Sequence, residues 1–407
     1  MMVPYSLYLH IPFCRHRCGY CDFNTYAGIE NSIPDYVFAL CREIEFVATS
    51  AGQRLPVHTI FFGGGTPSLL PVGQLECIFQ ALHDSFDLLP DIEITLEANP
   101  GTLSLAYLSD LVRLGVNRLS LGVQSANPQE LLLLERQHSY SDVIQAVTWA
   151  RQAGFNNLNL DLIFGLPGQA LQTWQQTLEL ALNLCPEHFS LYALTLEHGT
   201  PLAHWADRGL IAEPDPDLAA DMYEWASERL DTAGYQQVEI SNWGRRLPDK
   251  PSGERVLACR HNMQYWRNLP YLGLGAGAHG YTSGVRTVNV LAPRTYINRL
   301  NSGESGLNKQ QGSLAFPRTP ATQTVQVIDR ATEIGETMMM GLRLTQAGVS
   351  RSEFLQRFGE RLEDLFRAEI QDLLQLGLLE WAGSDQDVLR LTPGGRLLGN
   401  QVFYRFI

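Results

Sequence analysis

Three cysteines fall within eight residues near the start of the chain, Cys14, Cys18 and Cys21 in HIPFCRHRCGYCDF. Thiolates three and two residues apart in one loop can converge on a single soft metal centre. Zinc wants a fourth nitrogen or sulfur ligand nearby, and neither a second CxxC pair nor an HxxxH follows. A [4Fe–4S] cluster usually takes four cysteines, so three would leave one iron open for an exchangeable ligand. The plainer alternative is an incidental group of thiols. Where a fourth alternate thiol would stand, the chain has Phe23.

Other residue types downstream suit ligand binding. FFGGGTPS carries Gly63, Gly64 and Gly65 ahead of Thr66, a run that lets backbone groups approach a ligand as only glycine permits. Glu97 in TLEANPG and Asp161 in LDLIFGLPGQ are acids at predicted strand ends, suited to sugar hydroxyls or an amino group. Either could equally cap the helix that follows. Gln124 in LGVQS adds an amide, and Arg136 in LLERQHS adds a guanidinium that alone could be a solvated helix charge. Further on, RHNMQYW groups His261, Asn262, Tyr265 and Trp266. A neutral imidazole is a standard axial ligand to haem iron, and the aromatics could pack on a porphyrin face. The alternative is a core histidine beside a packed tryptophan. His279 sits in YLGLGAGAHGY, whose glycines predict a turn, and Cys259 has no CxxCH attachment motif around it.

The elements that must position these residues alternate along the chain. Strands are predicted at Ser6–Ile11, His58–Gly63, Ile92–Ala98, Arg118–Gln124, Asn157–Gly165 and His188–Leu196. Helices are predicted between them at Asp35–Thr49, Gly73–Phe86, Ser104–Leu114, Tyr140–Ala153 and Ala170–Leu184. Strand–helix alternation implies parallel pairing with right-handed crossovers. His10, Glu97, Gln124 and Asp161 gather at the C-terminal ends of different strands, where barrel sites are built, so a partial α/β barrel fits better than a doubly wound sheet. The expected organisation is a barrel at residues 1–245, a connecting region at 246–328 and a C-terminal domain at 329–407. Within the connector, LPDKPSGE (247–254) reads as an exposed loop and 301–324 as irregular polar chain. The C-terminal part, helices followed by a short strand–turn–strand, predicts a winged-helix-like appendage.

The totals exclude several function classes. With 407 residues and 45% hydrophobic content, the chain can bury a large core. A net charge of −13 argues against non-specific nucleic-acid binding. No apolar run reaches the length of a membrane span. Seven cysteines, an odd number, and a strand beginning within five residues of the start point to a reduced, cytoplasmic protein rather than a disulfide framework.

Taken together, YLHIPFCRHRCGYCDF, FFGGGTPS, EANPG, SLGVQS, HSYSD and DLIFGLPGQ resemble the radical S-adenosylmethionine (SAM) superfamily. The branch is the one that holds the oxygen-independent coproporphyrinogen III oxidases and a related family of haem chaperones. The resemblance runs from about residue 5 to the C-terminus, including LRLTPGGRLLGNQVF. It implies a partial (β/α)6 barrel with a small C-terminal α+β winged-helix-like domain. It implies that Cys14, Cys18 and Cys21 carry a [4Fe–4S] cluster whose open iron is chelated by exchangeable SAM. Tyr8 and Tyr20 become SAM neighbours, and Gly64, Gly65, Thr66, Glu97, Gln124, Arg136 and Asp161 SAM contacts. The HNxxYW segment makes His261 the haem residue.

Two departures separate this chain from the oxidases. They carry a cysteine at the position of Phe23 and a long N-terminal extension, whereas thirteen residues precede Cys14 here. Both departures match the chaperone branch. The expected function is binding haem and transferring it to an acceptor, such as a respiratory membrane protein, with a cluster-dependent homodimer allowed. The alternative is the oxidase reaction, a radical SAM decarboxylation in porphyrin biosynthesis; a non-catalytic iron–sulfur scaffold ranks third. No catalytic residue is assigned.

Overall fold

Within most predicted strands, HTIFFG excepted, apolar and polar residues alternate, and this period-2 pattern builds the core. LYLHI, ITLEA, RLSLGVQ, LNLDLIF and HFSLYA place Leu7, Leu9, Leu96, Leu119, Leu121, Leu160, Leu162, Phe189 and Leu191 at 0% exposure. Alternate residues point to opposite faces of a strand. The polar set, Ser120, Asn159, Asp161 and His188, is therefore gathered on one face, where its members hydrogen-bond one another.

A computed structural model describes residues 3–247, 256–301, 314–383 and 385–407. The chain divides into two compact units, residues 1–223 with 270–326, and residues 224–269 with 327–407. The expected boundary at 328 lies two residues from a unit boundary, whereas that at 245 matches none, because residues 224–269 group with the C-terminal part and 270–326 with the barrel. Past Leu247 the expected loop 247–254 lies outside the described residues, as do residues 302–313 of the polar segment.

The first unit holds β1 (Tyr5–Ile11), β2 (Pro56–Gly64), β3 (Asp87–Ala98), β4 (Arg118–Gln124), β5 (Leu158–Phe164) and β6 (His188–Ala193). They pair in that order, all parallel. The helices α1 (Ile33–Ser50), α2 (Val72–Ser85), α3 (Leu105–Arg113), α4 (Pro128–Leu133), α5 (Tyr140–Ala153) and α6 (Leu171–Leu182) lie between them. The predicted strands and helices are all present, and α4 is added. The HSYSD motif starts α5 through a capping box: Ser139 Oγ accepts from Asp142 N, and Asp142 Oδ2 accepts from Ser139 N at 2.8 Å.

The sheet continues beyond β1, where the sequence pattern predicted only a glycine-rich turn and irregular chain. Tyr271–Leu274 pairs parallel to β1, and the order runs on through His279–Thr282, Val285–Asn289 and Thr322–Val327. His279 opens a strand, with the turn ending just before it. A β-carbon on Gly273 would run into the His279 carbonyl, so glycine here serves close strand approach and erases the apolar alternation that would reveal a strand.

In the second unit, Val349–Ser350, Val388–Leu391 and Leu379–Ala382 form a three-stranded antiparallel sheet. It packs with Arg330–Gly341, Arg351–Phe358 and Arg367–Gln375 around a core that includes Met338, Leu342, Phe354, Leu373 and Leu389. This is the winged-helix-like arrangement expected, extended by two short terminal helices, Pro393–Leu397 and Gly399–Phe403.

Candidate functional site

The end of β2 clamps the start of the cysteine loop. Gly65 N donates to Ile11 O and Thr66 N to Phe13 O, both at 2.8 Å. Gly64 has φ +110°, and a β-carbon there would strike the His10 ring. His10 is itself held by Asn24 O, 2.9 Å from its Nε2. One cavity of about 350 Å³ opens at this end of the strands, and all three cysteines line it.

Tyr20, Gly64, Gly65, Thr66, Glu97, Gln124, Arg136 and Asp161 line the same cavity. Tyr8 does not; its ring stacks on Phe61 at 6.2 Å and its hydroxyl lies 3.1 Å from His10 Nδ1. Burial raises the Tyr8 hydroxyl, helped by the Glu97 charge, so it stays protonated.

All seven cysteines are free. Burial pushes the Cys14 and Cys21 thiols up, and the neighbouring cluster thiols add to this. Thr66 Oγ1 donates to Cys14 Sγ at 3.7 Å, and Arg136 donates to Cys18 Sγ at 3.7 Å. The Thr25 hydroxyl lies beside Cys14 and Cys21 but forms no hydrogen bond of good geometry. Among the described residues no three ligand side chains meet closely enough for a single ion. A cubane cluster binds each thiolate at a different iron, so its ligands stand further apart than those of zinc.

Register explains how the acids arrive. Glu97 pairs with Ser120 across β3–β4, and Gly122 with Asp161 across β4–β5. Glu97 Oε2 accepts from Gly64 N at 3.1 Å, and Asp161 accepts from Ser120 and Asn159, each at 2.9 Å. Neither acid caps a helix: Asp161 lies inside β5, and the turn after β3 begins at Asn99. Burial, with the Asp161 charge nearby, pushes Glu97 up to about 8, and burial also raises Asp161.

Arg136 is no solvated helix charge. It follows α4, and its guanidinium donates to Asn99 Oδ1, to Gly122 O at 2.7 Å and to Cys18. Gln124 ends β4 at φ 66°, a left-handed conformation costly for a residue with a side chain and typical of functional sites.

Sequence reasoning missed Asn99, which links Thr66 Oγ1 (3.1 Å) to Arg136, and Thr25 beside two of the thiols. It also missed Tyr192 and Glu197 on the cavity wall. EANPG contained Asn99, but only the fold turns its amide towards Thr66. Phe23 lines the cavity with 64% of its surface exposed, so it occupies the mouth and not a buried ligand position.

His261 belongs to the second unit, on the helix Arg260–Trp266, and is 1% exposed. Its Nε2 lies 2.8 Å from the Tyr265 hydroxyl and the rings meet edge to face. Asn262 donates to Glu239 Oε1 at 2.9 Å. The buried Trp266 indole N–H has no hydrogen-bond partner, while Arg343 sits 5.3 Å over its ring.

A family model described as the radical SAM superfamily matches residues 8–181, and one described as the HemN C-terminal domain matches residues 328–398. A Bacillus subtilis protein named heme chaperone HemW is 38% identical over 99% of both chains. The chain belongs to the HemW family. A HemW from Synechocystis is 39% identical over 95% of this chain and 89% of its own. A mouse mitochondrial protein named radical S-adenosyl methionine domain-containing protein 1 is 36% identical over 92% of this chain and 81% of its own. The Escherichia coli coproporphyrinogen III oxidase structure superposes with TM-score 0.79 at 24% identity, over 99% of this chain and 90% of that one, which establishes the fold.

Membership of the HemW family within the radical SAM superfamily implies a [4Fe–4S] cluster and SAM. The residues fit this pair: three free thiols line the cavity that also holds two half-buried acids and a glycine-lined strand end. Cys14, Cys18 and Cys21 would hold the cluster, which would supply one-electron chemistry to the cavity. The chain's own part would be to donate from Thr66 to the Cys14 sulfur and from Arg136 to the Cys18 sulfur, to present backbone at Gly64 and Gly65, and to line the cavity with two carboxyls.

Glu97 makes a prediction about pH. Its carboxyl keeps its proton to about pH 8 when folded, against an ordinary value of 4.5. Between these values the folded state binds more protons than the unfolded chain. Its stabilising contribution is therefore full below about 4.5 and is lost as pH rises towards 8. Relative to the unmodified ligand-free protein, Glu97→Gln should gain melting temperature steadily from pH 5 to 8, with Asp161 and Arg118 left in place. A constant offset between the two melting curves across this range would contradict the assignment.

Proposed function

We propose that this protein binds haem and passes it to an acceptor protein, with a [4Fe–4S] cluster and exchangeable SAM held in the barrel cavity. The reading places it in the cytoplasm, working on a haem acceptor such as a respiratory membrane protein and able to form a cluster-dependent homodimer. No helix among the described residues is long and apolar enough to cross a membrane. The observation that carries the reading is the end-to-end match to proteins named heme chaperone HemW. Phe23 at the cavity mouth supports it, since the oxidases keep a cysteine there.

His261 is the haem residue in this reading, with the partnerless Trp266 N–H on the same helix as a donor left over for a ligand. To ligate iron, its Nε2 must exchange the Tyr265 hydroxyl for the metal. His261→Ala should therefore lower haem affinity by about tenfold or more, the scale of losing an axial ligand. The experiment is an anaerobic haemin titration of the reconstituted protein read at the Soret band, with a parallel incubation in SAM and dithionite. No Soret band with the unmodified protein would sink the chaperone reading. Formation of protoporphyrinogen from coproporphyrinogen III would favour the oxidase instead.

A further inference from the structure

Two cysteines outside the cluster loop stand on neighbouring helices, Cys41 on α1 and Cys77 on α2. These helices are successive crossovers of the parallel strands β1, β2 and β3, so they run in the same direction, and they pack together. Arg54, just past α1, ties their ends. Its guanidinium donates to His83 O and Asp84 O, each at 2.8 Å, and to Phe86 O at 2.6 Å. Cys41 lies nine residues before the end of α1 and Cys77 eight before the end of α2, which puts them at matching heights. Both also lie on the facing flanks. On α1, Glu43 accepts from Tyr296 on the helix Pro293–Asn301. Cys41 is about 200° round from Glu43, on the opposite flank, where α2 packs. On α2, Glu76 accepts from Arg113 of α3 at 3.1 Å, while Cys77 shares the other flank with Ala81, one turn on and only 7% exposed.

Packed helices hold their axes about 8–10 Å apart with Cα atoms about 2.3 Å off each axis, so facing residues at one height come within the roughly 4.4–6.8 Å that a disulfide spans. The electrostatics agree with this placement: burial first, and next the charge of Cys77 itself, push the Cys41 thiol up to about 12. Cys41 is half-buried and Cys77 exposed, so an oxidant in solution meets Cys77.

We propose that Cys41 and Cys77 form a redox modification site, a reversible disulfide between α1 and α2 made by exchange with a small-molecule disulfide such as oxidised glutathione. The exposed Cys77 reacts first, as its thiolate: its sulfur bonds to one glutathione sulfur, and the other glutathione leaves as a thiolate. Cys41 then loses its proton to solvent and attacks the Cys77 sulfur, and the second glutathione leaves. Two protein thiols give up two electrons and two protons, and one glutathione disulfide becomes two thiols. Capping Cys77 also removes the charge that opposes ionisation of Cys41. The bridge encloses β2 and its glycine-lined end, which clamp the cysteine loop. This exchange requires neither haem nor SAM.

The test is an anaerobic incubation of the full, cluster-reconstituted chain with glutathione disulfide, followed by non-reducing peptide mapping by mass spectrometry. A peptide pair linked through Cys41 and Cys77, lighter by two hydrogens and separated by dithiothreitol, is expected. Cys77→Ser should lose the linked pair and leave Cys41 unmodified. Cys41→Ala should lose it too and instead accumulate a stable glutathione adduct on Cys77, because no second thiol remains to displace it. Both variants should keep full iron content, which separates loss of the bridge from misfolding. If the unmodified protein forms no linked pair, whether or not Cys77 carries glutathione, the proposal fails. If the links found join only Cys14, Cys18 or Cys21, or if Cys185 bridges in place of Cys77, the site is likewise overturned.

Discussion

Replacing any one of Cys14, Cys18 and Cys21 with alanine should abolish the iron–sulfur cluster. The three thiols line one cavity, and among the described residues nothing gathers there to replace a lost ligand. Phe23, at the position of a possible fourth thiol, is hydrocarbon and offers no donor. Removing one of three ligands leaves two irons without protein thiolates, and a cubane so held is lost to solvent and oxidant. Iron and sulfide content of the anaerobically reconstituted variants should drop by about tenfold or more. Cys77→Ser and Cys185→Ser, at exposed thiols away from this cavity, should keep full cluster content. A single loop variant that retains stoichiometric iron, or a control that loses it, would contradict the ligand set.

Gly65→Ala is the second large effect. A β-carbon there would sit 2.6 Å from Phe13 O and 2.8 Å from Ile11 O. Both obstacles are backbone, so no side chain can swing aside. These same carbonyls accept from Thr66 N and Gly65 N, the two bonds that hold the loop entrance to the end of β2. The methyl must break them or push β1 away, at a cost of about 1–3 kcal/mol. Because the shift falls at the first residue before Cys14, cluster content and SAM affinity should both fall. Gly73→Ala is the matched control, since a β-carbon at Gly73 meets nothing within 4 Å. Thermal melts and SAM titrations of the two variants give the comparison. Equal behaviour of the two would show that the clamp does not position the loop.

The strands and helices of the barrel were legible because each repeats a strong local signal. ITLEA and RLSLGVQ alternate to one side and the other, and HSYSD contains its own capping box. The strands beyond β1 were hidden for the opposite reason. Tyr271–Leu274 and His279–Thr282 approach so closely that glycine replaces the residues that would mark a strand. Unit boundaries were hidden as well, since residues 224–269 join the C-terminal part through contacts distant in the chain.

The site divides along the same line. Residue type and spacing pointed to a soft metal centre at CRHRCGYC, three thiols in one loop with hydrocarbon at Phe23, and the resemblance to the radical SAM superfamily made it a cluster with an open iron. Sequence also marked Glu97, Gln124 and Asp161 through their predicted strands, and Arg136 through the family resemblance. Only the tertiary structure decided what each does. Register between parallel strands sets two acids in one cavity, where lost solvation and then the Asp161 charge raise the Glu97 pKa to about 8. Folding turns Arg136 inward onto Cys18 and Asn99, leaves Tyr8 outside the cavity and presses His261 against Tyr265. Burial and charge proximity depend on residues far apart in the chain, and a local sequence pattern carries no measure of either.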